Sequence, residues 1–376
     1  MSKVHITLVG GQPAPVYHGI VATQPDQIVY IYSDSANSLH ALEALKKEIQ
    51  ISSVEFNLDA IKPDVIKKMA ETLAERYKND EVTVNISSGL KSWSHWFGVV
   101  FHNMPNASIV YMDQNNVLWN YRTMESCSDF QFDMHVLFRL YGNSLENNFK
   151  NFSDYTDEDF EACKIVEDVR GFHISDFNSL TAILTKEKQH ILRQTKKGRF
   201  DLPSGSFVEW DKEGAKVAIS LTKKGKTLKR NIVSSHATEL VFNSNWFELK
   251  VAKLISNWNK TREICMNCRF PFNPKFDKNE VDIIVNTGIK TLFVECKTQI
   301  TNTTDIDKFR SVIKGYGGIG SKGFFITDSP MSDMAKEKCH EHGILSFSLK
   351  EEHLGLSIEK ALFYLLDKEL YNINAK

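Results

Sequence analysis

NEVDIIVNTGIKTLFVECK, residues Asn279 to Lys297, decides the fold of the C-terminal part of the chain. VDIIVN and KTLFVECK are rich in β-branched and apolar residues, and NTG between them is a turn signal, so a β-hairpin is predicted. With a loop from Thr287 to Lys290, Asn286 pairs with Thr291, Ile284 with Phe293, and Asp282 falls opposite Glu295. Two carboxylates then face each other at roughly 5 Å, an arrangement that normally destabilises a sheet and that a divalent cation would relieve. Alternation brings Lys297 to the same face as Asp282 and Glu295. A two-residue loop would keep all three together with Asp282 diagonal to Glu295, whereas an odd loop would need a bulge.

The pattern of Asp282, twelve intervening residues and Glu295-x-Lys297 resembles the PD-(D/E)xK nuclease superfamily. The resemblance implies that Asp282 and Glu295 hold Mg²⁺ or Mn²⁺ beside a scissile phosphate. Hard cations take oxygen ligands and keep several waters, so two carboxylates suffice to place a water for in-line attack on phosphorus. The Lys297 ammonium can orient that water and stabilise charge on the phosphoryl oxygens. The family's leading proline is absent, Val281 preceding Asp282.

At 376 residues the chain has room for two or three domains. Its net charge of −1 gives no overall sign of a nucleic-acid partner, but Lys186 to Arg230 holds thirteen Lys and Arg against five acidic residues. Such a segment suits phosphate contacts, although runs of this kind are also ordinary solvated surface. No export signal opens the chain and no apolar run reaches bilayer length, so a cytoplasmic protein with free thiols and no membrane partner is expected. Cys265-Met-Asn-Cys268 has the spacing of half a zinc site, with Cys339-His-Glu-His342 as a conceivable other half. Against it, strand alternation would send Cys265 and Cys268 to opposite faces.

The first 120 or so residues alternate strand and helix. VHITLV, QIVYIY, VEFNL, VTVNI and SIVYM read as strands, with helical spacing in between at Val65, Met69 and Leu73 and at Trp93, Trp96 and Phe97. The alternation predicts a mostly parallel, Rossmann-like sheet, whose ligands bind at the carboxyl ends of the strands. Those ends carry Gly10-Gly11-Gln12, Ser33-Asp34-Ser35, Ser87-Ser88-Gly89-Leu90-Lys91 and Asp113-Gln114. Small residues admit a ligand to the backbone, N–H groups at a helix start bind phosphate, and Lys91 would neutralise it. Ser87 to Gly89 is equally explained as a turn and helix cap. No GxGxxG or Walker A sequence is present, which argues against a nicotinamide cofactor or a triphosphate.

NISSGLKSW, after an apolar strand and opening a helix, resembles the N-x-[ST]-[SG]-G-x-K signature of CARF domains, the sensors of cyclic oligoadenylates in CRISPR immunity. The matching positions are Asn85, Ser87, Ser88, Gly89 and Lys91. Gly10, Gly11 and Gln12 fill the family's first-loop position, and Ser33 and Asp113 stand at other strand ends where it places ligand contacts. The resemblance spans roughly residues 1–135.

Residues 136–235 are expected to form a connector, helical from Phe130 to about Phe200 and then stranded in FVEW, KVAISL and TLKRNI, resembling a winged helix and carrying the basic residues. The domain at 236–376 opens on a helix whose stripe is Phe247, Val251, Leu254, Ile255 and Trp258. SNWFE resembles the W-[LF]-E of CARF nucleases, which implies that Glu248 is a third metal-site acid. Asn245 with Glu248 three residues on also fits a capping box, and Glu280 is a weaker acid candidate. Helix, antiparallel strands, helix, strand is the order of the PD-(D/E)xK core. GYGGIGSKG, residues 315–323, fits either a phosphate nest or a plain turn.

The whole chain thus resembles the CARF–nuclease effectors of type III CRISPR systems. That resemblance implies an α/β protein with a sensor, a connector and a nuclease domain, a homodimer, cyclic tetra-adenylate as allosteric activator, and Mn²⁺- or Mg²⁺-dependent cleavage of DNA, with RNA left open. Catalysis would fall to Glu248, Asp282, Glu295 and Lys297. Two other classes stay open: an ungated DNA endonuclease of restriction or repair type, and a non-enzymatic, nucleotide-responsive DNA-binding regulator.

Overall fold

The computed structural model describes residues 1–372 apart from 60, 114, 115, 128–130, 132, 144, 146–148, 182–191, 193, 271–278, 289, 301, 318–320 and 354. Strand and helix alternate from the N-terminus: β1 (Lys3–Leu8), α1 (Pro13–Thr23), β2 (Gln27–Tyr32), α2 (Ala36–Glu48), β3 (Ser53–Asn57), α3 (Pro63–Arg76), β4 (Glu81–Asn85), α4 (Lys91–His102) and β5 (Ala107–Met112). These strands are parallel, in the order β3-β2-β1-β4-β5. Two antiparallel strands too short to show a periodicity, β6 (Leu118–Asn120) and β7 (Glu125–Cys127), extend the edge. One face is covered by α3 and α4 through Ile66, Leu73, Trp93 and Phe97; the other by α1 and α2 through Val16, Ile20, Leu42 and Leu45. The helices that follow the neighbouring strands β1 and β4 therefore leave to opposite faces. That switch point opens the crevice in which sheets of this kind hold ligands.

The middle of the chain comprises α5 (Met134–Leu140), β8 (Lys150–Asn151), α6 (Asp157–Phe172), α7 (Ile174–Thr181) and an antiparallel meander of β9 (Lys197–Asp201), β10 (Phe207–Asp211), β11 (Lys216–Lys223) and β12 (Lys226–Val233). The helical pattern expected to reach Phe200 stops earlier. Lys197–Asp201 is instead an edge strand, paired to β10 and tied across it by Lys197 to Asp211 at 2.7 Å and Arg199 to Glu209 at 2.6 Å. Lys196 with Glu213 and Arg230 with Asp168 are ion pairs too, so part of the basic segment's charge is neutralised within the protein.

The last part holds α8 (Ala237–Phe242), α9 (Asn245–Ser256), β13 (Glu263–Phe270), β14 (Asn279–Asn286), β15 (Thr291–Lys297), α10 (Thr304–Tyr316), β16 (Ser321–Thr327), α11 (Asp333–Glu341), β17 (Leu345–Ser348) and α12 (Ile358–Tyr371). Its sheet runs β17-β16-β15-β14-β13-β8, antiparallel from β13 to β15 and parallel from β15 to β17. The hairpin takes the predicted register, Asn286 against Thr291 and Ile284 against Phe293. Its loop is closed by the Thr287 N–H to the Lys290 carbonyl at 3.0 Å, with Gly288 at φ +84. Within 315–323, residues 318–320 lie outside the described residues. No helix among the described residues is long and apolar enough to cross a membrane.

Both faces of this sheet are buried, which is why its strands read as nearly unbroken apolar runs. On one face Ile283, Val285, Leu292 and Val294 meet Trp246 and Phe247 of α9 and Leu362 of α12, and the same core continues into Val166 of α6 and Val208, Trp210 and Ile219 of the meander. The segment expected as a separate connector thus shares a core with the sheet that follows it. On the other face Val281, Ile284, Phe293 and Phe325 pack with Phe309 of α10, Ala335 of α11, and Met134 and Phe138 of α5. Val136 and Leu140 of α5 belong at the same time to the α1–α2 core. One short helix is therefore shared by the two halves.

Phe138 is fully buried and meets Phe270 and Phe293 edge-on, at ring-centroid distances of 5.1 and 6.1 Å. Phe138→Ala is predicted to cost about 3–5 kcal/mol of stability. The measurement is the urea midpoint; a midpoint equal to wild type would show that α5 does not join the two halves.

Candidate functional sites

Two explanations of Glu248 were open in the sequence, and the start of α9 separates them. Ser244 precedes the helix at φ +63 and makes no side-chain cap, and Asn245 is already helical. The Glu248 carboxylate does not reach back to close a capping box; it accepts a bond from Asn267 Nδ2 at 2.8 Å. Asn267 lies within β13 at φ +51, a left-handed conformation uncommon for any residue with a side chain and characteristic of functional sites when it occurs inside a strand.

This single residue breaks the alternation of β13. Cys265 and Cys268 both face the core under α10 and α11, while Met266 between them faces the opposite core. The expectation that the two cysteines would diverge is therefore overturned: it assumed regular strand geometry, and Asn267 removes it. The register, Met266 against Ile283 and Cys268 against Val281, leaves Asn267 opposite Asp282. Continued one step beyond Ile283 against Val294, the next ladder leaves Asp282 opposite Glu295. The paired ladder of β14 and β15 itself ends at Ile283 against Val294, so the row of Asn267, Asp282 and Glu295 is one of successive register positions on three neighbouring strands, and α9 brings Glu248 to its Asn267 end.

Asp282 Oδ2 accepts the Cys296 N–H at 2.7 Å, and Lys297 Nζ meets Glu295 Oε1 at 2.5 Å. Burial first, and then the charges of Glu295 and Glu248, push Asp282 well above the ordinary carboxylate range. Burial also raises Glu295, and it takes Glu248 up to about 7 against the opposing bond from Asn267. For Lys297 burial works in the other direction, but Asp282 and Glu295 together outweigh it and raise its affinity for the proton. Glu280 is exposed and paired with Arg269 at 2.9 Å, yet its charge helps to raise both Glu248 and Glu295, so it stands at the edge of the row and not away from it. The oxygens of Glu248, Asp282 and Glu295 do not all lie within 4.8 Å of one another. The donors nevertheless suit a hard divalent cation: all are carboxylate oxygens, and burial penalises their charged form, a cost that such an ion would offset.

At the other site, the loops after β1 and β4 touch across the switch point. A Cβ on Gly10 would lie 2.7 Å from the Gly89 nitrogen, and one on Gly89, at φ +79, would lie 2.8 Å from Leu8 Cβ. Glycine at both places is what lets the loops meet, and the Gly10 N–H then donates to Ser88 Oγ at 3.1 Å. Asn85 is fully buried: its Nδ2 donates to the Pro15 carbonyl at 3.1 Å and its Oδ1 accepts the Ser87 N–H at 3.0 Å. Ser87 Oγ donates to Asn85 at 2.5 Å and accepts the Met112 N–H at 2.7 Å. Asn85 and Ser87 thus build the turn from within. Gly11, Gln12 and Lys91 are exposed at the crevice and Ser33 is half-exposed; Gln12 accepts the Tyr141 hydroxyl at 2.9 Å and Ser33 Oγ bonds Ser35 Oγ at 3.1 Å. Asp113 braces its own turn, accepting the Val117 N–H at 3.0 Å and Trp119 Nε1 at 3.2 Å. Lys91 opens α4, where a cation and free backbone N–H groups stand together.

The sequence profile of the Card1 CARF domain matches residues 4–138. This segment is similar to CARF domains. No curated protein matches the chain. Solved structures are similar to it over nearly its whole length. Can2 from Sulfobacillus thermosulfidooxidans, solved with cyclic tetra-adenylate, is 16% identical with a TM-score of 0.67, over 98% of this chain and 99% of that one. VC1899 from Vibrio cholerae is 14% identical with a TM-score of 0.69, over 92% and 94%. A type III CRISPR defence DNA nuclease activated by cyclic oligoadenylate is 13% identical with a TM-score of 0.56, over 96% of this chain but 52% of that one, so the chain spans about half its length. At these identities the likeness is one of fold: an N-terminal, CARF-like, mostly parallel sheet followed by further sheets in the C-terminal part. The CARF match ends inside α5.

Asn267 is the site residue that sequence reasoning missed. Its signal was an asparagine, a poor strand former, inside the otherwise β-prone run EICMNCRF. A carboxyl whose folded pKa is raised stabilises the fold below its ordinary value, here 4.5, and loses that contribution as pH climbs through about 7. In metal-free protein, Glu248→Gln is therefore predicted to melt several degrees above wild type at pH 8, with the gap closing toward pH 4. Equal melting temperatures at pH 8 would show that the Glu248 charge is not strained.

Proposed function

We propose that the chain is a metal-dependent endonuclease acting on DNA, with RNA as a second substrate to be tested, switched on by cyclic tetra-adenylate in type III CRISPR antiviral defence. The observation that carries this is the row of Asn267, Asp282 and Glu295, with Glu248 and Lys297 beside it, in the same chain as a CARF-like segment. The Can2 complex, with its bound cyclic tetra-adenylate, supports the choice of activator.

Glu248, Asp282 and Glu295 would hold Mn²⁺ or Mg²⁺. The ion supplies Lewis acidity toward the scissile phosphate and offsets the charge that builds there. The protein's own groups do the positioning. The Cys296 N–H fixes the Asp282 carboxylate, and Asn267 fixes Glu248. Lys297 is held protonated beside Glu295, where its ammonium orients the attacking water and stabilises the phosphoryl oxygens. In the CARF domain Lys91, with the Ser87 to Gly89 turn and the Gly10 to Gln12 loop, takes the activator's phosphates. Two copies of the chain would complete a symmetric pocket, and α5 would carry its closure to the catalytic sheet.

The test is incubation with labelled single-stranded DNA, single-stranded RNA and supercoiled plasmid in Mn²⁺ or Mg²⁺, with and without cyclic tetra-adenylate. Cleavage is expected only when metal and ring nucleotide are both present. Cleavage without the nucleotide would leave an ungated restriction- or repair-type endonuclease; tight nucleotide binding with no cleavage would leave a DNA-binding regulator. Glu295→Ala is predicted to lower cleavage by at least about 100-fold with activator affinity unchanged. Lys91→Ala is predicted to raise the activator concentration needed by about tenfold, the loss of one charge-assisted phosphate contact.

A further inference from the structure

Away from the carboxylate row, β13 carries a second cluster. His135 of α5 and Glu263 and Cys265 of β13 bring their ligating atoms to within 4.8 Å of one another, the only set of three such side chains that does so among the described residues. His135 Nε2 stands 3.4 Å from Glu263 Oε1, and the Cys265 sulfur lies within 4.8 Å of the ligating atoms of both. The Phe149 ring, 5.1 Å away centroid to centroid, covers one side of the imidazole. Cys268 lies outside that set of three but shares the same core, because the left-handed Asn267 turns both cysteines to one face.

From this geometry we propose that His135, Glu263 and Cys265, with Cys268 available as a fourth ligand, form a zinc site that clamps α5 to the catalytic sheet. The donor set selects the metal. Thiolate, imidazole and one carboxylate suit tetrahedral Zn²⁺ and do not suit Mg²⁺ or Mn²⁺, which prefer oxygen. Neighbouring ligand atoms in such a site lie roughly 3.3–3.8 Å apart, given bonds of about 2.0–2.3 Å, so the ligating atoms of His135, Glu263 and Cys265 must draw together by about 1–1.5 Å at most, and Cys268 must turn toward them. The ligands come from two elements that already share a core through Met134 and Phe138. Cys265 is brought down to about 7, chiefly by the Cys268 thiol, against burial and with help from His135. Metal competes with the proton on His135, so binding releases protons. The site is independent of the nuclease activity: it needs no nucleotide and no substrate.

The test uses reduced, chelator-treated full-length protein titrated with Co²⁺ and, separately, with Zn²⁺. One equivalent of Co²⁺ is expected to give a thiolate-to-metal charge-transfer band, which a carboxylate site cannot produce. That band is expected to vanish in Cys265→Ser and in His135→Ala and to persist in Glu295→Ala. One equivalent of Zn²⁺ is expected to raise the melting temperature of wild type and not of His135→Ala. Far-ultraviolet circular dichroism of each variant separates loss of the site from loss of the fold, and His135, being half-exposed, is the safer substitution. Absence of the band in wild type, or its survival in both Cys265→Ser and His135→Ala, would overturn the proposal and leave the cluster a hydrogen-bonded His–Glu–Cys network.

Discussion

Carboxylates held out of water are the constraint around which the C-terminal half is arranged. Asp282 and Glu295 follow the last paired positions of two strands buried on both faces, and the charges of Glu295 and Glu248, the latter from α9, both bear on Asp282. Nothing in a sheet's own energetics favours that placement. It persists because the surroundings fix each carboxylate separately: a backbone N–H for Asp282, an ammonium for Glu295, an amide for Glu248. The apolar cores on both sides of the sheet hold the strands while those groups strain against each other.

The sensor half shows the opposite economy. Its turn after β4 is satisfied from within, with Asn85 and Ser87 spending every polar atom that the hydrogen bonds account for on neighbouring backbone or on each other. Signature residues in one motif therefore divide into those that shape the turn and those left at the crevice, Lys91 foremost. A sequence pattern records both kinds alike, since losing either would spoil the same pocket.

Much of this was legible in the sequence because period-two and period-3.6 patterns and turn chemistry point the same way in β1 to β5 and in the β14–β15 hairpin. The hairpin register followed from NTG and from the apolar alternation around it. What stayed hidden depended on single backbone angles or on long-range packing. Asn267 at φ +51 reverses the faces of Cys265 and Cys268, and no spacing rule carries that information. Lys197–Asp201 became a strand through pairing to β10 and cross-strand ion pairs, which a local helical pattern could not reveal. The fusion of the 136–235 segment with the following sheet is likewise a property of the shared core, where Trp210 and Ile219 meet the α9 side of Ile283 and Val294.

That shared core sets how the chain can be taken apart. From Tyr155 to Leu370 the buried residues of the meander, α6, α9 and α12 belong to one hydrophobic body, so a cut anywhere between them exposes apolar surface on both pieces. The sensor, by contrast, has cores of its own and touches that body's sheet mainly through α5. In modular terms the molecule therefore has two parts and one joint. Exchange of sensors between such proteins would have to carry α5 along with the sensor, or rebuild on its far side the pocket that Phe138 fills.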